Sequence, residues 1–229
     1  ELALNQTQSA LEGKEIEELM DLPVMRDPEK LGAMSILSRL GKIAYLTIPV
    51  LFPLMVLKQV NLSLQNGNCP VSVVCYTHYG ILLWHFCGDI DGNYRFGQLA
   101  LGLLGRFNEK QLKCTVLFVV NITIKPWKVH LKETLTPLIE AYSLGLETGD
   151  FDDSAFCAYM YLEHSFWLGK QLAELDQSCA KYHQGIDQLK QDIPHQLSAI
   201  TWQGVLNLLG QAENSCCLRG EVYDELLML

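Results

Sequence analysis

The residues with the clearest metal-binding chemistry lie in one apolar stretch. Cys75, His78 and His85 occupy positions i, i+3 and i+10 of a predicted helix, and Cys87 follows just beyond it. Thiolate and imidazole groups are ligands that suit zinc. A straight helix nevertheless separates positions i and i+10 by about 15 Å, too far for one ion with ligands near 2 Å. We therefore predict no metal site and no bound cofactor, and interpret these side chains as core residues.

One alternative stays open for the same stretch. An all-α ligand sensor or enzyme would have a buried pocket lined by Cys75, His78, Trp84 and His85, because binding pockets combine apolar walls with a few polar groups.

Catalytic and nucleotide-binding motifs are absent from the sequence. No Gly-Lys pair is followed by the Ser or Thr of a phosphate-binding loop, and zinc-protease, hydrolase and kinase signatures are missing. Four carboxylates fall at predicted loop or helix-start positions, where they stabilise helices: Asp89, Asp91, Asp152 and Asp153. We predict no catalytic residues and no enzymatic activity for this segment.

Composition excludes several classes of partner. The 229 residues are 49% apolar and 19% charged, with 17 Lys plus Arg against 26 Asp plus Glu and a net charge of −9. No basic cluster indicates nucleic-acid binding. The longest uncharged apolar run, 43–57, contains Pro49 and Pro53 and is too short to span a membrane. Eight scattered cysteines indicate reduced thiols in a cytoplasmic protein.

Apolar periodicity predicts an all-α fold. Asp27, Pro28 and Glu29 form a helix start, and that helix should reach about Ala44. Apolar residues recur at three- and four-residue steps over 96–107 and 131–146. The segment 115–124 has strand-like composition, but a lone strand would have no partner. We therefore predict a buried helix there, ending before Pro126.

The sequence also contains an internal repeat of about 41 residues. A shift of 82 residues, twice that period, aligns 64–68 with 146–150 and Cys75 with Cys157. Single shifts connect Gly67, Asn108, Gly149 and a break beside Gln191, where residues that favour helix C-caps precede residues that favour helix starts.

Repeating helix pairs of this size are typical of α-solenoids with TPR-like repeats. We predict a lead-in helix over 1–26, whose acidic run from Glu12 to Glu18 faces solvent, and a single helical-repeat domain over 27–229. Its antiparallel helix pairs would occupy 27–67, 68–108, 109–149, 150–190 and 191–229. Stacked pairs form a continuous core and an extended binding surface.

Several short motifs resemble the helical middle region of large bacterial multisensor signal-transduction kinases. They lie at 16–23, 88–91, 94–100, 130–135, 145–150 (Gly-Leu-Glu-Thr-Gly-Asp) and 206–210. The resemblance implies a parent chain with serine/threonine kinase, AAA ATPase, GAF and histidine kinase domains. It assigns no functional residue here, because the catalytic motifs of that family lie in other domains.

The lack of a start methionine or signal peptide fits a segment of a longer chain. We therefore expect a non-catalytic interaction and signal-relay module. Its partners would be another protein or neighbouring kinase and ATPase domains, and a small ligand is also possible.

Overall fold

Helix-capping residues set the boundaries of the elements. In the computed structural model, which describes residues 2–227, Asp27 caps the second helix by accepting hydrogen bonds from the backbone of Glu29 and Lys30, and Pro28 opens it. The described residues form ten α-helices and no named strand, which confirms the all-α prediction. The helices are α1 (Leu2–Leu11), α2 (Pro28–Thr47), α3 (Phe52–Asn66), α4 (Pro70–Cys87), α5 (Ile90–Phe107), α6 (Lys110–Val119), α7 (Leu135–Thr148), α8 (Phe151–Trp167), α9 (Leu172–Leu189) and α10 (Asp192–Leu208).

The chain divides into two compact units, Glu1–Lys128 and Val129–Leu229. The first unit is built around α4, which packs against α3, α5 and α6. This helix is apolar on all sides, and its Tyr76 and Tyr79 side chains are fully buried. Gly80 allows α5 to approach closely, since a Cβ there would lie 2.9 Å from the carbonyl oxygen of Asn93.

The segment 115–124 is helical and largely buried, as predicted, and the regular α-helix ends before Pro126. Helix α6 continues into a π-helical turn, Val120–Ile124, and then a 3-10 turn, Lys125–Trp127. Proline cannot donate the backbone hydrogen bond that would continue the helix. Ile124 is fully buried and lies against Gly97 of α5.

The second unit is built around α8, which packs against α7, α9 and α10. Its core contains Leu162 of α8 together with Leu175 and Ile186 of α9 and Val205 of α10. Small residues Ala155 and Ala158 on α8 are also fully buried, which allows neighbouring helices to lie close.

Four helices end at left-handed or otherwise positive-φ residues that lie 41 residues apart. Their φ angles are 93° at Gly67, 50° at Asn108, 80° at Gly149 and 53° at Lys190. The predicted turns at Gly67, Asn108 and Gly149 are confirmed, and the break beside Gln191 falls at Lys190. Each interval between these residues contains two helices, although α6 and α7 are shorter than the 18-residue α4 and α5.

The N-terminal segment differs from the predicted segmentation. The predicted lead-in helix over 1–26 is replaced by α1, which ends at Leu11, a turn with positive φ at Gly13, and a 3-10 helix, Ile16–Asp21. The acidic run is exposed as predicted. The predicted single domain over 27–229 stays a prediction, and the boundary between the two units falls inside its segment 109–149.

Candidate functional site

The four side chains of the alternative pocket are spread along α4 and have separate surroundings. Cys75 is buried, and its thiol donates to the carbonyl oxygen of Ser72 at 3.2 Å. The His78 ring meets Phe52 edge-on, with the ring centroids 5.1 Å apart. Trp84 packs against Trp127, with centroids 4.9 Å apart, while His85 is exposed. The geometry therefore does not bring these four residues together in one pocket.

The cysteines of α4 are also poorly suited to metal binding. Burial raises the pKa of the Cys75 thiol far above its ordinary value, so the thiolate that a metal requires is disfavoured. Cys87 lies at the exposed end of the helix, and all eight cysteines are free thiols. Among residues 2–227, no group of three His, Cys, Asp or Glu side chains is arranged to hold a metal ion.

The candidate carboxylates take structural positions at helix starts. Asp89 caps α5 by accepting a hydrogen bond from the backbone of Gly92 at 2.7 Å. Asp91 forms an ion pair with Lys128. Asp152 and Asp153 lie in the first turn of α8, where negative charge complements the helix dipole.

A cleft of about 430 Å³ lies between α1 and α3. Leu54 and Leu57 supply apolar surface, while Lys58 and two glutamines supply polar groups. The Asn61 amide donates to the Thr7 hydroxyl at 2.9 Å and links the two helices. The lining residues are Ala3, Gln6, Ala10, Leu54, Leu57, Lys58, Asn61 and Gln65. The lining mixes apolar and polar groups, and sequence reasoning missed the cleft because the two helices are about 50 residues apart in the chain.

Two histidines and one tryptophan of α9 and α10 form a cluster of rings in the second unit. The His183 and His195 rings stack with their centroids 4.2 Å apart, and the Trp202 ring lies 5.4 Å from His183. The His183 Nδ1 atom is 2.8 Å from the Ser198 hydroxyl. Burial and the neighbouring His195 lower the pKa of His183, while Asp187 opposes this shift. An imidazole of lowered basicity favours the neutral state, which applies here to His183.

A buried Thr-His pair lies elsewhere in the second unit. The Thr134 hydroxyl is 2.6 Å from Nδ1 of His164, the distance of a nucleophile and its base. That hydroxyl also lies 2.7 Å from the Leu131 carbonyl, to which it donates, and Thr134 is fully buried. Burial lowers the pKa of His164. A reacting group has no access to this hydroxyl, so the pair serves packing.

The adjacent Glu163 takes different partners from His164. Its carboxylate accepts hydrogen bonds from the Thr201 hydroxyl at 2.5 Å and from the Trp167 indole at 3.0 Å. This agrees with the rule that neighbouring residues on a helix point in different directions.

Comparison with known proteins gives one informative similarity. The chain is 26% identical over 160 residues to hybrid signal transduction histidine kinase G of Dictyostelium discoideum. The match covers 69% of this chain and 5% of that protein. It supports a relationship to signal-transduction kinases. No family model matches the sequence, and no solved structure matches significantly.

Hydropathy along the helices adds one further fact. None of the helices within residues 2–227 combines the length and the apolar character that crossing a membrane requires.

Proposed function

We propose that this chain is a non-catalytic helical-repeat module that binds a partner and relays signals in a multidomain sensor kinase. The observation that supports it most is the 41-residue spacing of Gly67, Asn108, Gly149 and Lys190, each ending a helix with positive φ. Equal spacing of helix ends is what a chain of stacked helix pairs requires. The similarity to a hybrid histidine kinase supports the signalling context.

In this proposal the helix pairs form a TPR-like α-solenoid that responds to a partner by small changes in the packing of successive pairs. A ligand can shift such an array only if it prefers one arrangement to another. The partner would be another protein or a kinase or ATPase domain of the same parent chain. The catalytic domains would lie outside this segment.

The packing of Ile124 against Gly97 offers a direct test. Ile124 belongs to segment 109–149 and Gly97 to segment 68–108, so their contact joins two proposed repeat units. Ile124→Val should lower the free energy of unfolding by about 1 kcal/mol without unfolding the unit. In the parent kinase it should change the response of kinase activity to its regulator.

A matched control changes packing inside one helix pair. Phe96 of α5 meets Tyr79 of α4 edge-on, with ring centroids 4.9 Å apart. Phe96→Leu should destabilise the unit at least as much as Ile124→Val, yet disturb regulation less. If the two variants change regulated activity in proportion to their loss of stability alone, the relay role is wrong.

A small-ligand sensor is the second candidate function, favoured by the cleft between α1 and α3. Ligand binding there should raise the thermal midpoint of the first unit. Asn61→Leu removes a polar lining group and the link to Thr7, and should abolish that rise.

A further inference from the structure

Helix α8 ends in an exposed tryptophan whose orientation is fixed by hydrogen bonds. The Trp167 side chain is 71% exposed, yet its indole N–H donates to the Glu163 carboxylate at 3.0 Å. The other oxygen of that carboxylate accepts from the Thr201 hydroxyl of α10 at 2.5 Å. Thr201 is buried, so these bonds attach the indole to the core of the second unit. A large aromatic side chain that is held in one orientation before binding is typical of residues that dominate protein interfaces.

The Glu163 carboxylate has no cationic partner in the part of the chain that the structure describes. None of the ion pairs formed within residues 2–227 includes Glu163. The nearest Lys or Arg along the chain is Lys170, whose ammonium donates to the hydroxyls of Tyr161 and Ser178. Glu163 is half-buried, so water screens its charge less than that of a fully exposed carboxylate. A carboxylate has about four acceptor positions, so its two hydrogen bonds leave Glu163 able to accept more.

A second exposed apolar residue lies at the same end of the neighbouring helix. Helices α8 and α10 run in the same direction, because α9 lies between them in the chain and short turns join all three. They meet at the bond between Glu163 and Thr201. Trp167 is the last residue of α8, and Leu208, 60% exposed, is the last residue of α10. We call Glu163, Trp167 and Leu208 the α8–α10 face.

The chemistry of the α8–α10 face favours a cationic side chain. The face of an indole ring carries negative electrostatic potential and attracts ammonium and guanidinium groups. Glu163 lies at the N–H edge of the Trp167 ring, so a cation on the ring is close to a carboxylate. Arginine suits both groups, because its planar guanidinium stacks on aromatic rings and pairs with carboxylates. The methylene groups of its stem suit the aliphatic surface of Leu208.

The charge of the second unit opposes other occupants. The unit contains fifteen Asp or Glu residues and five Lys or Arg residues. A second copy of the same face, or an anionic lipid surface, would bring like charges together. A basic segment of a partner protein is attracted instead.

We propose that the α8–α10 face binds an arginine side chain in a basic segment of a partner protein. The guanidinium stacks on Trp167 and forms an ion pair with Glu163, and apolar parts of the segment lie against Leu208. This inference rests on the proposed partner-binding role and names the chemistry of the partner. The relay test with Ile124→Val does not involve this face, so either proposal can fail without the other.

The test is titration of the ¹⁵N-labelled 229-residue chain with an acetylated peptide of alternating Arg and Ala, followed by NMR. The indole N–H signal that is lost in Trp167→Phe identifies Trp167. We expect this signal to shift on binding, and the affinity to fall as salt rises from about 0.05 to 0.3 M. A peptide with citrulline in place of Arg keeps the shape without the charge, and should bind at least about ten-fold more weakly.

Two variants separate the contacts of the guanidinium. Trp167→Ala removes the ring and Glu163→Gln removes the charge, and each should weaken binding of the Arg peptide at least about five-fold, measured from backbone amide shifts. Glu174→Gln, which neutralises an exposed glutamate of α9, is the matched control and should change the affinity less than about two-fold. Trp167→Ala keeps the bond between Thr201 and Glu163, so it decides the outcome if Glu163→Gln unfolds.

Circular dichroism must show that each variant retains its helical content. The proposal fails if the Trp167 indole signal does not respond to the Arg peptide, or if the citrulline peptide binds as tightly. It also fails if Glu174→Gln weakens binding as much as Trp167→Ala does. Light scattering that shows a dimer dissociated by Trp167→Ala would overturn it too, because a second copy would then occupy the face.

Discussion

Substitutions at two equivalent helix ends, one that removes a glycine and one that introduces a glycine, should change the free energy of unfolding in opposite directions. Gly149 and Lys190 both end helices of the second unit with positive φ, 80° and 53°. The left-handed conformation is unfavourable by about 1–2 kcal/mol for a residue with a side chain, whereas glycine adopts it without this cost. Replacing glycine by another residue also adds about 0.4–1 kcal/mol to the free energy of unfolding, because it reduces the conformational entropy of the unfolded chain. Gly149→Val should therefore destabilise the unit by about 1 kcal/mol, and Lys190→Gly should stabilise it by up to about 1 kcal/mol.

Steric overlap does not complicate the change at Gly149. A Cβ built there meets no heavy atom within 4 Å, so the expected loss comes from backbone conformation alone. A unit of this size should shift its thermal midpoint by about 4–8 °C for each kcal/mol.

Urea unfolding followed by tryptophan fluorescence measures both effects. Trp167 and Trp202 report on the second unit, and Phe replacements of Trp84 and Trp127 in every variant remove the signal of the first. Separate reporters are needed because two units need not unfold as one. A neutral Gly149→Val, or a destabilising Lys190→Gly, would refute the assignment of these residues as left-handed helix ends.

Three further measurements test other features. Burial lowers the pKa values of His164 and His183, so at acidic pH the unfolded chain binds more protons than the folded chain. The free energy of unfolding should therefore decrease as the pH is lowered from about 7 to about 5. His183→Gln should make that decrease smaller, as measured by urea titrations at each pH. A thiol reagent should label three of the eight cysteines rapidly in the native chain, as counted by mass spectrometry, because five are buried. Gly67→Ala should destabilise the first unit by about 3 kcal/mol in thermal melts, more than Gly149→Val does the second, because its Cβ would overlap the Pro23 carbonyl that accepts from Asn68.

The candidate sites show the limit of reasoning from sequence alone. Spacing along one helix predicts that Cys75, His78 and His85 do not share one metal ion, because helix geometry is fixed. The stacking of His183 on His195 joins two helices across a turn, and neither residue has a distinctive neighbour in sequence. The same holds for Thr134 and His164, which are 30 residues apart.

Local rules determined the helical character, the start of α2 at Asp27 and the helix ends at Gly67, Asn108 and Gly149. These features depend on residues within one or two turns, where capping and backbone preference act directly. Residue preference alone did not identify Lys190, a lysine whose φ of 53° lies in the left-handed region that glycine favours.

Tertiary structure alone decided which apolar faces are covered. Helix α2 carries Ile36, Leu40 and Ile43 as well as Met34, Gly41 and Ala44, but only the second set is buried. The cleft between α1 and α3 and the boundary after Lys128 likewise depend on contacts between distant segments. Burial is a property of how helices pack together, and a pattern along one helix cannot specify whether a partner covers it.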